Sequence, residues 1–242
     1  MALLIIACIA SFIPFIGVFL WLRNSLRKDI DYRKICDRSL LHGIISILQI
    51  TLFSGVSYIL LRLTRLQDAN PLLYQALYNF IVLALMEELA KFLTFRKILK
   101  KTDYRYSQLD VVVIMTIVGI GFGMIESVVY AFGASIPVVL VRGICVPHAG
   151  YGFLTGYFYG KGLKTGNSIK MKAGFIISWF LHGLYDFSLS KEFMEINEYL
   201  MLVALALAVM DIALVIWLII FANKAKKDEA YMEPIVPECV ER

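Results

Sequence analysis

Residues 108–132 read QLDVVVIMTIVGIGFGMIESVVYAF, and this apolar run decides the class of fold. A membrane-spanning helix needs about 20 mostly apolar residues to cross roughly 30 Å of hydrocarbon, and this run is long enough. The whole chain of 242 residues is 60% hydrophobic and has a mean hydropathy of +0.74. Soluble domains are only about half apolar. The sequence therefore predicts an all-α, polytopic bundle of membrane helices.

Six more apolar segments raise the predicted number of transmembrane helices to about seven. With the run above, their predicted bounds are 2–22, 39–63, 71–95, 108–132, 136–160, 173–189 and 199–222. The first segment has no basic residues ahead of it, so we interpret it as a retained helix and not as a cleaved signal peptide. We interpret residues 1–222 as one transmembrane domain with a motif-bearing core at 71–189. The polar tail, 223–242, is predicted to be disordered.

Positive charge is concentrated in alternate connections between these segments. The basic stretches are 23–38, 96–105, 161–172 and the tail after residue 223, while the intervening connections hold few basic residues. The positive-inside rule then places the N-terminus outside a cell membrane and the C-terminus in the cytoplasm. Topology thus accounts for the net charge of +5, and no nucleic-acid partner is expected. The four cysteines contain no CxxC pair and do not indicate a disulfide framework.

Ionisable residues inside the predicted spans are candidates for function, because each costs several kcal/mol unless it faces the protein interior and finds a partner. The candidates are Glu87, Glu88, Lys91, Glu126, Arg142, His148, His182, Asp186 and Asp211. For Asp211, a packing hydrogen bond or a pairing with Arg142 is the favoured interpretation.

In the third span, Lys91 follows Glu88 by three residues and Glu87 by four. Residues at these spacings are neighbours on a helix, so Lys91 can neutralise one carboxylate. The other carboxylate is then available as a general acid or base. The alternative interpretation is an internal ion pair that only fixes helix packing.

The next two spans combine small residues with polar ones. Glu126 lies three residues after Gly123, on a face where Gly119 and Gly123 permit close helix contact. His148 lies four residues before Gly152, the first of three glycines spaced by four. A lone histidine on such a face is more often a hydrogen-bonded core residue than a ligand.

The sixth span contains a polar stripe with a spacing of four residues: Ser178, His182, Asp186 and Ser190. Asp186 can accept a hydrogen bond from the His182 ring. Alternatively, both residues ligate a metal, or the stripe only holds helices together. Taken with the third, fourth and fifth spans, the stripe predicts one cavity that activates water with or without a metal ion.

Four motifs follow one another on these successive spans. They are EExxK at Glu87, Glu88 and Lys91, FxxxE at Phe122 and Glu126, a single His148, and HxxxD at His182 and Asp186. The ordered set resembles the PrsW family of bacterial membrane proteases, which are related to CAAX-processing and bacteriocin-processing membrane enzymes. The resemblance covers about residues 86–187.

This resemblance implies an intramembrane endopeptidase, and for the family it implies site-1 cleavage of a membrane-anchored anti-sigma factor. The expected partners are therefore a single-pass membrane substrate and the lipid bilayer. Carried onto this sequence, Glu87 or Glu88 is the general base on water, and Lys91 holds one of the two in the charged state.

The resemblance also implies roles for the residues of the later spans. His148 and His182 bind a metal ion or stabilise the oxyanion, and Glu126 and Asp186 support them. These four are the candidate ligands if the enzyme uses a divalent metal such as zinc. The sequence leaves open whether the protease is glutamic or metal-dependent.

Two other functional classes fit the polar spans. A proton-coupled transporter or channel uses buried carboxylates and histidines as a relay, although the inverted repeats common in that class are not evident. A non-catalytic scaffold retains polar stripes for packing alone.

The predicted positions of the carboxylates across the bilayer do not match. The predicted span edges place Glu126 and Asp186 towards the outer leaflet and Glu87 and Glu88 nearer the inner half. One shared cavity therefore requires a tilted or broken third helix.

Overall fold

The computed structural model describes residues 2–235 except 102–103, 132–139 and 141–142, and for residues 2–5, 8, 131 and 198 only the backbone. The described chain is almost wholly helical. Its helices are α1 (Ala2–Ser25), α2 (Ile30–Leu63), α3 (Leu66–Ala69), α4 (Pro71–Leu77), a π-helix (Tyr78–Leu85), α5 (Met86–Lys100), α6 (Gln108–Ala131), α7 (Pro147–Thr165), α8 (Ser168–Ser188), α9 (Lys191–Met194), a 3₁₀ turn (Glu198–Leu200), α10 (Met201–Ala225) and α11 (Glu229–Met232).

Three of these helices are long and apolar enough to cross a membrane by length and composition: α2, α6 and α10. The helical class predicted from the sequence is confirmed. Among the remaining long helices, α5 contains Glu87, Glu88 and Lys91 within its first two turns, and such charges lower its hydropathy. The number of seven spanning helices stays a prediction.

The third predicted span is one continuous helical path through α4, the π-helix and α5. Leu77 and Met86, at the two ends of the π-helix, both have right-handed helical backbone angles. The Trp179 indole donates a hydrogen bond to the Phe80 carbonyl at 2.6 Å, and the Ser54 hydroxyl donates to the Val82 carbonyl at 2.9 Å. Side chains of α8 and α2 thus stabilise a π-helix that ends just before Glu87, and π-helical turns are frequent at functional sites.

The fifth predicted span is interrupted at Val146, between the helical residues 143–145 and α7. The predicted start at residue 136 lies outside the described residues, and α7 begins at Pro147. Val146, immediately before it, has φ = 46° and ψ = 48°. A β-branched residue rarely adopts this left-handed conformation. The local break places His148 in the first turn of α7 and not in the middle of a long helix.

Helix α6 lies at the centre of the fold and is buried over most of its length. A Cβ atom on Gly119 would collide with the His148 carbonyl oxygen of α7, and one on Gly43 of α2 would collide with the Val118 carbonyl oxygen. Glycines therefore bring α2 and α7 against α6 at backbone distance, as the predicted small-residue faces require.

The tail differs from its predicted disorder over the residues that the structure describes. Helix α10 continues to Ala225, and the Ile235 amide donates a hydrogen bond to the Tyr106 carbonyl at 2.7 Å. Pro234 also forms an antiparallel bridge with Ser107. The chain to Ile235 therefore packs on the connection between α5 and α6. Residues 236–242 lie outside the description.

Candidate active site

Four helices bring together all seven site residues predicted from the sequence. Helix α5 supplies Glu87, Glu88 and Lys91, α6 supplies Glu126, α7 supplies His148, and α8 supplies His182 and Asp186. Glu126 lies near the end of α6, His148 at the start of α7, and Asp186 near the end of α8. The site is thus close to the end of the bundle opposite the basic connections.

Lys91 lies at the centre of the buried network. Its Nζ atom is 2.6 Å from Glu88 Oε1 and 3.0 Å from His148 Nδ1. A charged ammonium group can only donate, so Nδ1 of His148 accepts and Nε2 carries the ring proton. Nε2 then donates a short hydrogen bond to Glu126 Oε2. Lys91 also lies over the Phe122 ring, 4.6 Å from its centroid.

His182 is oriented from the other side of the same Glu88 oxygen. Its Nδ1 lies 2.9 Å from Glu88 Oε1 and donates to it, since an ionised carboxylate only accepts. The other ring nitrogen, Nε2, faces Asp186 Oδ2 at 3.3 Å and Glu87 Oε2 at 3.6 Å. Two carboxylate oxygens beside this nitrogen favour a proton or a metal ion at this point.

Glu87 and Glu88 are adjacent in sequence but have different surroundings. Glu88 bonds Lys91 and His182, whereas Oε2 of Glu87 is buried and has no hydrogen bond among the described residues. The Glu87, Glu126 and Asp186 side chains are 10%, 11% and 9% exposed, against 1% for Glu88. These three carboxylates therefore mark the accessible side of the site.

The site residues fit a metal ion in part. Ligand atoms of Glu87, His148 and His182 lie within 4.8 Å of one another. Two histidines and one glutamate are a known ligand set of catalytic zinc, and Glu88 orients the His182 ring through its Nδ1 atom. Both ring nitrogens of His148 are engaged, so it would exchange its bond to Lys91 for the metal. The grouping includes Glu87, whereas the sequence suggested Glu126 or Asp186 as the carboxylate ligand.

Sequence reasoning missed Tyr151, three residues after His148 on α7. Its ring stacks on the His182 ring with centroids 5.2 Å apart and an interplanar angle of 21°. Ser178, part of the predicted polar stripe, donates a hydrogen bond to the Tyr151 carbonyl at 2.9 Å. A tyrosine three residues after His148 is a signal that the sequence does contain. The sequence alone does not show that its ring contacts His182.

The remaining ionisable candidates lie apart from this network or outside the description. Arg142 is among the residues that the structure does not describe. Asp211 of α10 is fully buried and interacts electrostatically with Tyr151. Cys36 and Cys145 are both buried.

Two buried histidines, a lysine and four carboxylates on apolar helices define a membrane-embedded protein with a hydrolytic type of site. Comparison with known proteins gives the family. The model of the "PrsW family intramembrane metalloprotease" matches residues 38–220. The chain belongs to this family.

Two curated relatives are both described as "Protease PrsW". The protein from Clostridioides difficile (strain 630) is 30% identical over 193 residues, which are 74% of this chain and 76% of the relative. The protein from Oceanobacillus iheyensis is 30% identical over 115 residues, 46% of this chain and about half (53%) of the relative. No solved structure matches the chain at a significant level.

Proposed function

We propose that this protein is an intramembrane endopeptidase that hydrolyses a peptide bond in a single-pass membrane protein. The observation that carries the proposal is Glu87, whose buried Oε2 faces His182 on the accessible side of the site without a hydrogen bond from a described residue. A carboxylate in this position can take a proton from water. Membership of the PrsW family supports the same chemistry.

Glu87 acts as the general base in this proposal. It accepts a proton from a water molecule as the water oxygen bonds to the substrate carbonyl carbon. The proton passes from Glu87 to the amide nitrogen, the C–N bond breaks, and a carboxylic acid and an amine leave. Glu88 and Lys91 are positioning residues, because they hold His182 and His148 in fixed orientations.

A divalent metal ion, with zinc as the first candidate, would be held by His148 and His182, whose ligand atoms lie within 4.8 Å of the Glu87 carboxylate. When bound, it would polarise the carbonyl group and favour ionisation of water. Glu126 and Asp186 orient the two rings.

An anti-sigma factor is the proposed substrate class, cleaved near the outer membrane surface. The N-terminus is proposed to be outside and the C-terminus cytoplasmic, from the pattern of basic connections. A relay for proton transport is not favoured, since the family consists of proteases.

The test uses purified protein in proteoliposomes with a panel of membrane-anchored anti-sigma factors. Wild type is compared with Glu87→Gln and Glu88→Gln, each with and without a chelator, and bound metal is measured by mass spectrometry. We expect Glu87→Gln to reduce cleavage by about 10²–10⁴-fold, the range of general base catalysis. Cleavage of every substrate at the wild-type rate by Glu87→Gln would contradict the proposal.

Metal content separates the two roles of Glu87. If Glu87 is a ligand, Glu87→Gln lowers the bound metal together with the activity. If Glu87 acts only as a base, activity falls and metal content does not. Lys34→Met is the matched control, because Lys34 pairs with Asp31 at 3.1 Å on the exposed surface.

A further inference from the structure

The two halves of α2 differ in how they contact the bundle. Its buried residues are Tyr32, Ile35, Cys36, Ser39, Gly43, Ser46 and Ile50. By contrast, none of residues 51–63, all of which the structure describes, is buried. Beyond Ile50, α2 therefore contacts the bundle through side chains that are not buried, such as Ser54 and Tyr58.

The surface of α6 also changes from buried to exposed near the position of Ile50. Phe122 of α6 packs with Ile50 of α2 and Ala90 of α5. Glu126 and Val129 follow Phe122 on the same face of α6, and the Val129 side chain is exposed. The buried contact between α2 and α6 thus ends at Ile50 and Phe122, and the space between the two helices beyond it is named the cleft.

The π-helix forms the back of this cleft. Ser54 donates to the Val82 carbonyl, and the Tyr58 ring meets the Tyr78 ring edge-on, with centroids 6.0 Å apart. Tyr78 interacts electrostatically with Glu87 and Asp186. The start of the π-helix, at the back of the cleft, therefore lies close to the polar site.

We propose that the cleft between residues 51–63 of α2 and the last two turns of α6 is the lateral entrance for the substrate. This inference rests on the proposed function and adds the route and the form of the substrate. A substrate anchored in the bilayer can move sideways to the site, and its apolar residues match walls that include Leu52, Val56 and Val129.

The occupant is an extended peptide segment at the end of the substrate's spanning helix. Inside a helix, each carbonyl is hydrogen-bonded to the amide four residues on, so it is not accessible to water activated by Glu87. An extended segment presents its carbonyl groups. Such a segment would meet the site on the accessible side marked by Glu87, Glu126 and Asp186.

Gly55 provides a way to close the cleft without disturbing the fold. Ile47, Thr51 and Gly55 follow one another at intervals of four on one face of α2, and Ile47 packs on the Ile50–Phe122 cluster. No described atom lies within 4 Å of a Cβ placed on Gly55. A large side chain at this position therefore projects into open space beside the cleft.

The experiment compares Gly55→Trp with Gly17→Trp in proteoliposomes. Gly17 of α1 is the matched control, since a Cβ there also meets nothing within 4 Å. We expect both variants to unfold at the wild-type temperature. Gly55→Trp lowers the cleavage rate by about tenfold or more because the scissile bond is displaced, and Gly17→Trp leaves the rate unchanged. Equal cleavage rates for the two variants would overturn the proposed entrance.

A crosslinking arm tests the entrance independently of catalysis. A photoreactive amino acid replaces Val129 at the cleft or the exposed Ile13 of α1, in the Glu87→Gln background, and each protein is irradiated with the same anti-sigma factors. Adducts at position 129 that exceed those at position 13 support the entrance. Equal or fewer adducts at position 129 refute it. Failure of the wild type to cleave, with adducts still formed at position 129, refutes the protease and not the cleft.

Discussion

Two buried ion pairs lie at opposite ends of the helix bundle, and they differ in what surrounds them. At the basic end, Arg27 Nε lies 3.1 Å from Asp110 Oδ1, and the other Asp110 oxygen accepts hydrogen bonds from the Ser107 amide and hydroxyl, both at 2.8 Å. At the site end, Lys91 lies 2.6 Å from Glu88, and both side chains are almost fully buried.

The surroundings of the two ion pairs indicate that one stabilises the fold and the other belongs to a reaction site. Asp110 is the last residue of a capping arrangement with Ser107 at the start of α6, and its one charged neighbour in that arrangement is Arg27. Glu88 instead shares one oxygen between Lys91 and His182, next to Glu87 with its free acceptor atom. A pair surrounded by other titratable groups indicates a reaction site, whereas a pair closed by a cap indicates a helix start.

Lys91→Met is expected to have the largest effect on stability. It leaves the Glu88 carboxylate buried without its cation, which typically costs about 3–5 kcal/mol. Thermal unfolding in detergent measures the loss. The double variant Lys91→Met with Glu88→Met should regain much of it, because an apolar pair of similar volume is often no less stable than a buried ion pair.

The surface pair of Lys34 and Asp31 is the control, with side chains 68% and 70% exposed. Lys34→Met should change the free energy of unfolding by less than about 1 kcal/mol. If Lys91→Met is equally mild, the Lys91–Glu88 pair does not have the buried, charged character that distinguishes it from surface pairs.

Gly119→Ala tests whether the hydrogen bonds around Lys91 and His148 depend on the close backbone contact between α6 and α7. The new Cβ would collide with the His148 carbonyl oxygen, so α7 must move and His148 shifts relative to Lys91. We expect a loss of about 3 kcal/mol, the upper range for overpacking, and reduced cleavage by the folded protein. Gly17→Ala meets no described atom within 4 Å and should stabilise α1 by up to about 1 kcal/mol. The same sign for both substitutions would contradict the packing argument.

Much of the site was predictable because it depends on helical spacing. Glu88 and Lys91 are three residues apart and therefore pair on α5, as the spacing indicates. The spacing of four between His182 and Asp186 likewise predicts their proximity. These relations are local, so one helix is enough to infer them.

Relations between helices were harder to predict. The sequence suggested a mismatch in depth between Glu87 and Glu126, and hence a tilted or broken third helix. The structure has a π-helix ahead of Glu87, supported by Trp179 and Ser54 from other helices. The stacking of Tyr151 on His182 and the left-handed Val146 also depend on tertiary contacts that no local pattern reveals.

Arg27→Met tests the basic end. Asp110 keeps its two bonds to Ser107, and the Arg27 side chain is partly exposed, so we expect a loss of about 2 kcal/mol, within the range for hydrogen bonds to charged groups. The cleavage rate per folded molecule should equal that of wild type. A tenfold or greater loss of cleavage without unfolding would show that the two ends are coupled.

Tyr151→Leu is expected to have a selective effect on cleavage. The substitution removes the ring that stacks on His182, and an aromatic contact contributes about 0.5–1.5 kcal/mol beyond its buried area. Glu88 still bonds Nδ1 of His182, so the ring stays in the site but can rotate about that bond. We therefore expect a lower kcat with little change in KM, because Tyr151 is fully buried and acts through the His182 ring. Tyr151→Phe keeps the ring and should retain most of the activity. If Phe and Leu lower kcat equally, the hydroxyl group facing Asp211, and not the stacked ring, positions His182.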